Sequence, residues 1–286
     1  MAAPMESWGE AGRLLRIALQ RATRAAERAR QQTEFAERHE RLAARTGREF
    51  HRSMAATHRR IAERHLTTAS LQHSYAASLA AWSTGHGDRP RFMAEVAAAC
   101  GTASAALTLI DSDLNQLAVA TSDQLARDAQ DLEYVLGIGP AREAAEHKQP
   151  VLASGAALDG RWPGYGTGLD SLGLCSVAAL PLKAPNGCIG ALTLFDPLPG
   201  RAETGELDEV AGAVTDNVLL GPDADPDLYG GVDLRAVVHQ AAGMMSGRTH
   251  CSVDEALALI KARAFARGES AEAVARRIVY EAMDLD

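Results

Sequence analysis

Between Leu234 and Ala282 the apolar positions recur with the period of a helix. Leu234, Val237, Val238, Ala241 and Met245 follow an i, i+3, i+4, i+7, i+11 rhythm, the mark of one buried face. Arg248 to Cys251 breaks the rhythm. Ser252-Val253-Asp254-Glu255 then has the form of a capping box, the serine hydroxyl serving the Glu255 amide and the Glu255 carboxylate reaching back. Ala256, Leu259, Ile260 and Ala264 carry a second helix to Gly268, a residue suited to a left-handed helix end. Ser270 caps a third, whose face is Ala271, Val274, Ala275, Ile278 and Ala282. Helices this short are marginal alone, so the pattern predicts one three-helix bundle over 232–286.

Upstream the period changes. A helix is predicted over 91–100, then strands over 105–110 and 116–121 joined by the turn Asp111 to Gln116. Helices over 123–133 and 141–147 flank the sharp turn Gly137-Ile138-Gly139-Pro140, and 150–153 reads as a short strand. Two apolar runs, 176–182 and 188–195, flank Asn186-Gly187, a strong β-hairpin signal. A closing helix is predicted over 203–219. The glycine-rich stretch Asp159 to Gly168 reads as a flexible lid without the spacing of a phosphate loop.

Residues 6–82 contain no proline and only Gly9, Gly12 and Gly47, among many Ala, Arg, Glu and Gln. One or two long helices follow, broken near Gly47. Phe35 to Leu42 and Met54 to Ile61 are heptad steps, yet no a/d register of large apolar residues lasts four heptads. So poor a face needs a partner, and the expected one is the same arm of a second chain: a coiled-coil homodimer. His51, His58 and His65 repeat every seven residues, with His39 and His73 nearby. Two turns apart on one helix, they are too far apart to share a metal within it; across a dimer seam they could bind metal or sense pH, and the favoured reading is a solvated polar stripe.

Charge sorts the chain into thirds. Residues 1–88 hold fourteen arginines against nine acids, 89–228 eight bases against twenty acids, and 229–286 seven bases against eight acids. The acidic middle repels nucleic acid, which leaves only the two ends to attract it. Cys100, Cys175, Cys188 and Cys251 show no CxxC spacing, pointing to a reduced compartment with no structural zinc. No long apolar span and no signal peptide is evident, so a cytoplasmic protein without membrane or DNA partners is expected. The expected boundaries are an arm over 1–88, a middle domain over 89–220, a mobile Pro/Gly linker over 221–231 and the bundle over 232–286.

The carboxyl-terminal stretch resembles the ANTAR domain, through Gln240-Ala241-Ala242-Gly243-Met244-Met245, Ser252 to Ala256, Ile260 to Ala264 and Ala273-Val274-Ala275. Ala242 stands where that family usually has a lysine. The middle resembles a GAF domain in its element order and in Gly137 to Pro140, Asp159-Gly160-Arg161-Trp162-Pro163, Ser176 to Leu182 and Gly190-Ala191-Leu192. Ile138 and Ala141 stand where related chains often carry an acid and a cysteine. Together the resemblances, and a composition suited to a high-GC genome, imply a GAF and ANTAR antitermination regulator of actinobacterial type. The implied fold class is α+β: a long helical arm, an antiparallel sheet flanked by helices, and a three-helix bundle. The implied partner is RNA, as hairpins of nascent transcripts, met by exposed cations of the bundle: Lys261, Arg263, Arg267, Arg276 and Arg277. By analogy, a sensor pocket would be lined by Leu107, Leu109, Tyr134, Trp162, Tyr165 and Leu180. The ligand is left open, and no cofactor, metal or catalytic residue is expected. Two other readings stand beside this one. The helical parts could bind proteins without RNA, or a GAF-type thiol reductase could use Cys175 and Cys188 if the strands bring them together.

Overall fold

The computed structural model describes residues 5–86, 88–200, 205–221 and 233–281. In chain order its first elements are α1 (Met5–Thr46), α2 (Glu49–Ser83), α3 (Phe92–Ala99), β1 (Ser104–Ile110), β2 (Gln116–Thr121), α4 (Gln124–Leu136) and α5 (Pro140–His147). Then come β3 (Val151–Ser154), α6 (Ala156–Arg161), α7 (Tyr165–Ser171), β4 (Ser176–Ala184), β5 (Gly187–Phe195) and α8 (Glu206–Ala213). A π-helical turn, Val214–Leu219, β6 (Asp233–Leu234), α9 (Ala236–Thr249), α10 (Val253–Arg267) and α11 (Ala271–Tyr280) complete it. Among the described residues no helix is long and apolar enough to cross a membrane. The chain forms two compact units, Met1–Gly101 with Pro199–Gly231, and Thr102–Leu198 with Val232–Asp286.

In the first unit α1 and α2 pair with each other, turned at Gly47, whose φ of 68° suits a residue without a side chain. Their seam is alanine. Ala22, Ala29, Ala36 and Ala43 are buried at heptad intervals on α1, and Ala55, Ala62, Ala69 and Ala76 on α2. A methyl in place of a large side chain lets two helices approach closely, so an a/d register runs where no leucine or isoleucine marked it. The heptad histidines lie in this seam rather than on a solvated stripe. His51, His58 and His65 are half-buried; His39 Nδ1 lies 3.1 Å from His51 Nδ1, and His58 Nδ1 lies 2.7 Å from Gln32 Oε1. No group of three or more histidines, cysteines or acids able to hold a metal occurs among the described residues. The seam that was expected to seek a second chain is filled by the neighbouring helix of the same chain. Lower down, α2 holds α8 through Arg64 to Glu209 at 3.8 Å, and the π turn through Arg64 to Asp216 and Asn217 Nδ2 to Thr68 Oγ1 at 3.0 Å.

The second unit is built on an antiparallel sheet in the order β3-β4-β5-β1-β2-β6. The Asn-Gly turn joins β4 to β5 as its signal predicts. Gly190 is required where β5 crosses β1: a Cβ there would meet Thr108 O at 1.9 Å. One face, carrying Ala106, Val177, Ala179, Ala191 and Phe195, packs on α4 to α7. The Asp159 to Gly168 stretch is not a loose lid. It forms α6 and α7, and Asp159 Oδ1 accepts hydrogen bonds from the amides of Gly164, at 2.9 Å, and Thr167, at 3.1 Å. The carboxyl-terminal helices form as their caps predict. Ser252 and Glu255 make the reciprocal capping box, Gly268 ends α10 in the left-handed region, and Ser270 caps α11. Leu234, expected in the first helix, instead lies in β6, where it pairs with Ala118. Ala282 and the linker from 222 onward lie outside the described residues.

The alanine seam makes a direct prediction. Ala29→Leu should destabilise the first unit by about 1–3 kcal/mol, through overpacking, whereas Ala26→Leu on the exposed face should be nearly neutral. Amide hydrogen exchange along α1 and α2 reads the difference.

Candidate functional site

Strand alternation divides the six expected pocket residues. Leu107 pairs with Leu192, and Leu192 with Leu180, so these leucines and Leu109 sit on the sheet face opposite Ala106 and Ala179. They cannot line a pocket beneath α4 to α7. Trp162 and Tyr165 do come together there, their ring centroids 5.9 Å apart and nearly perpendicular. Both are fully buried among Leu158, Leu169, Leu174 and Phe195. The Trp162 indole N–H donates to Glu143 at 2.8 Å, and Arg161 pairs with the same carboxylate, which holds Glu143 below its ordinary pKa. Burial pushes the Tyr165 phenol well up. The space beneath the crossover helices is thus packed with this chain's own side chains.

Tyr134 takes a different place. From α4 it enters the core of the helical bundle, beside Val238, Ala241, Ala242 and Ile260. The Arg235 guanidinium lies 4.4 Å and the Lys261 ammonium 4.2 Å from its ring centroid. Arg235 has no exposed surface. Its Nε donates to Gln116 Oε1 at 2.9 Å and its Nη2 to Asp131 Oδ1 at 2.6 Å, so the buried charge is matched by a carboxylate and an amide oxygen. Nearby, Arg127 on α4 reaches Glu272 on α11 at 2.5 Å. Position 242, where a lysine is usual in the resembling family, is buried in this same core.

Next to Tyr134 lies a cavity of about 50 Å³, walled by Thr108, Gln116, Glu133 and Arg142 on one side and by His239 and Lys261 on the other. Glu133 is buried; its Oε1 accepts the Arg142 amide at 2.8 Å and its Oε2 the Gln130 side chain at 3.3 Å. Burial nevertheless pushes its pKa up to about 7. Lys261 is shifted the other way, downward, first by burial and then by Arg142 and Arg235. Arg142 Nη1 donates to Leu114 O at 2.9 Å.

The five expected RNA-contacting cations are not equivalent. Lys261 faces Tyr134. Arg276 pairs with Glu272 at 2.7 Å, and Arg277 with Glu269. Arg263 is half-buried, and Arg267 is exposed in the last turn of α10. Large apolar side chains also reach solvent on the bundle: Leu259, Phe265 and Tyr280 are more than half exposed. The cysteines do not form a thiol pair. The register places Cys188 opposite Lys183, while Cys175 lies at the far end of the same β-hairpin, roughly 25 Å away by strand rise.

Arg235, Asp131, Gln116 and the cavity wall apart from Tyr134 and Lys261 were not among the residues expected from sequence. Arg235 falls between Leu234 and Val237 of the apolar rhythm, with no local motif to mark it. Glu133 carried a readable signal, since Ala126, Ala129, Gln130 and Glu133 share one helical face and all four are buried.

The raised pKa of Glu133 gives stability a pH dependence. The unfolded chain loses this proton near 4.5 and the folded chain near 7, so the folded state binds more protons in that window. Stability should therefore fall as pH rises from about 5 to above 7, by about 3 kcal/mol from this group. Glu133→Gln removes the titration. Urea midpoints at pH 5.5 and pH 8 should drop for the native chain and stay nearly level for the variant, relative to each other.

A family model of the ANTAR domain matches residues 228–279, and one of the GAF domain matches residues 90–215. Nothing matches among the curated proteins or the solved structures. Strands β1 to β5 and the crossover helices lie within the GAF match, and β6 with all but the last residue of the three-helix bundle within the ANTAR match: the protein joins a GAF sensor domain to an ANTAR RNA-binding output domain, the architecture of a regulator.

Proposed function

We propose that the chain is a one-component bacterial regulator in which the GAF domain senses a small molecule and the ANTAR bundle binds hairpins of nascent transcripts, acting by transcription antitermination. One observation carries the reading: Lys261, a bundle cation suited to phosphate contact, lies against Tyr134 of the sensor instead of facing solvent. Sensor and RNA thus compete for the same charge. With the bundle docked, Arg267 and part of Arg263 remain at the surface for a first electrostatic encounter with RNA. Undocking adds Lys261. No catalytic role is assigned to any residue, and the separation of Cys175 and Cys188 disfavours a thiol reductase. The acting form is proposed to be a homodimer in the cytoplasm. Its support is the apolar surface on the outside of the arm, where Phe50 and Leu66 are more than half exposed.

A second reading has its own observation. Leu259, Phe265 and Tyr280 give the bundle an apolar exposed face of the kind that binds proteins. Titration of full-length protein against a tandem-hairpin RNA, with duplex DNA as control, separates the two. Arg263→Ala with Arg267→Ala should weaken hairpin binding at least tenfold and reduce the log–log salt slope by roughly 2. Unaltered affinity and slope would overturn the RNA reading in favour of a protein partner. Sedimentation of the same sample should give twice the 30.3 kDa of one chain if the dimer proposal holds.

The competition for Lys261 is tested separately. Tyr134→Leu keeps an apolar side chain in the bundle core but removes the ring, so hairpin affinity should rise several-fold. Equal affinity for both proteins would show that docking at Tyr134 does not limit RNA binding.

A further inference from the structure

The cavity beside Tyr134 has the wall of an anion site. Two basic side chains, Arg142 and Lys261, border it, and among the described residues neither makes an ion pair with a carboxylate, the Arg142 charge being felt by buried Glu133. His239 adds a third basic side chain, and Thr108 and Gln116 add a hydroxyl and an amide. The one acid in the wall, Glu133, spends its oxygens on the Arg142 amide and the Gln130 side chain. Arg235, close by, is already matched by Asp131 and Gln116 and contributes no further demand. Two half-buried cations facing a single carboxylate are left under-compensated, and an anion entering between them would offset that cost. The guanidinium fork of Arg142 fixes the chemistry further, because it meets two oxygens of one planar group at once. Size fixes the rest. One water needs about 10–15 Å³ of such space, so about 50 Å³ admits only about three to five heavy atoms.

We propose that this cavity binds a small monovalent oxyanion, a short carboxylate or its inorganic isostere, held between Arg142 of the GAF domain and Lys261 of the ANTAR domain. The proposal deepens the regulator reading, on which it rests for its biological meaning, by giving the sensor a ligand class and a place. That place is not the packed interior around Trp162 and Tyr165. Because the wall is shared by α4, α5 and the β1–β2 turn on one side and by α9 and α10 on the other, bound anion would favour the docked bundle. It would also hold Lys261 away from RNA. Occupancy stabilises the docked form in proportion to the logarithm of ligand over Kd. The groups facing the anion are Arg142 and Glu133 from the sensor and His239 and Lys261 from the bundle; protonation of Glu133 removes the one negative charge, so binding should tighten as pH falls below 7.

The test is calorimetric titration of the full chain at pH 6.5 and constant ionic strength with sodium formate, acetate, bicarbonate and nitrate, and with sodium chloride as the reference salt. Saturable binding of at least one oxyanion, with a rise in Tm that chloride does not give, is expected. The carboxylate and inorganic arms identify the source. Arg142→Gln and Lys261→Met should each raise Kd at least tenfold, while Arg267→Gln leaves it unchanged; circular dichroism checks that each variant is folded. An effect equal to that of chloride, no saturation, or binding retained in both folded variants overturns the site. Anion binding is read without RNA, so its failure leaves the hairpin experiment standing. Failure of hairpin binding likewise leaves the anion result standing.

Discussion

A charge with no solvent has to be matched where it lies, and Arg235 imposes that condition on the second unit. Its guanidinium is held by Gln116 from β2 and Asp131 from α4, against the ring of Tyr134, in hydrogen bonds of 2.9 and 2.6 Å. Removing one partner of a buried pair typically costs about 3–5 kcal/mol, more than most single contacts contribute. The two residues before Arg235 extend the sheet by pairing with β2. The helix α9 starts directly after it, and the bundle's core, in which α10 meets α4, closes over Tyr134. One residue thus fixes both the direction in which the ANTAR helices leave the sheet and the sensor surface they cover.

The packed interior of the GAF domain fits this arrangement. Trp162 and Tyr165 are large, buried and bonded or crowded in place, and Glu143 ties Trp162 to Arg161. Opening that interior to a ligand would cost the burial of two aromatic side chains, roughly 2–3 kcal/mol each. A small ligand has little binding energy with which to offset so much. The junction cavity requires no such opening. Its polar wall is already in place, and part of that wall is the output domain itself.

Much of this was legible in the sequence where local chemistry decides structure. The capping box at Ser252 and Glu255, the Gly268 stop and the Asn-Gly turn each form as written, because each is settled within a few residues. Burial read from large apolar residues served less well in the arm. There the seam is alanine, and its heptads were hidden among surface alanines such as Ala26 and Ala44 that nothing local distinguishes. The histidines that looked like a solvated stripe mark that seam, at the register positions between the buried alanines. Strand period also settled which candidates could share a pocket, yet the strand leucines were grouped with Trp162 by analogy rather than by parity. The junction was the least legible part. Arg235 is separated from Asp131 and from Gln116 by more than a hundred residues, and only the tertiary fold brings their charges and dipoles together.

A shared wall between sensor and output constrains how signalling can work. A ligand shifts an equilibrium only by the difference in its affinity for the two states. A molecule enclosed wholly within the GAF interior would have to transmit that difference through α4 before Lys261 responded. A molecule in the junction differs between docked and undocked states by construction, since undocking removes His239 and Lys261 from its shell. A hundredfold difference in affinity, about 2.7 kcal/mol, is within what the loss of one charged contact can supply. The cation–π contacts on Tyr134 work against release at similar magnitude, roughly 1–2 kcal/mol each when desolvated. Docking held by terms this size is neither permanent nor negligible, which is the range in which a small anion and a strand of RNA can compete for the same lysine.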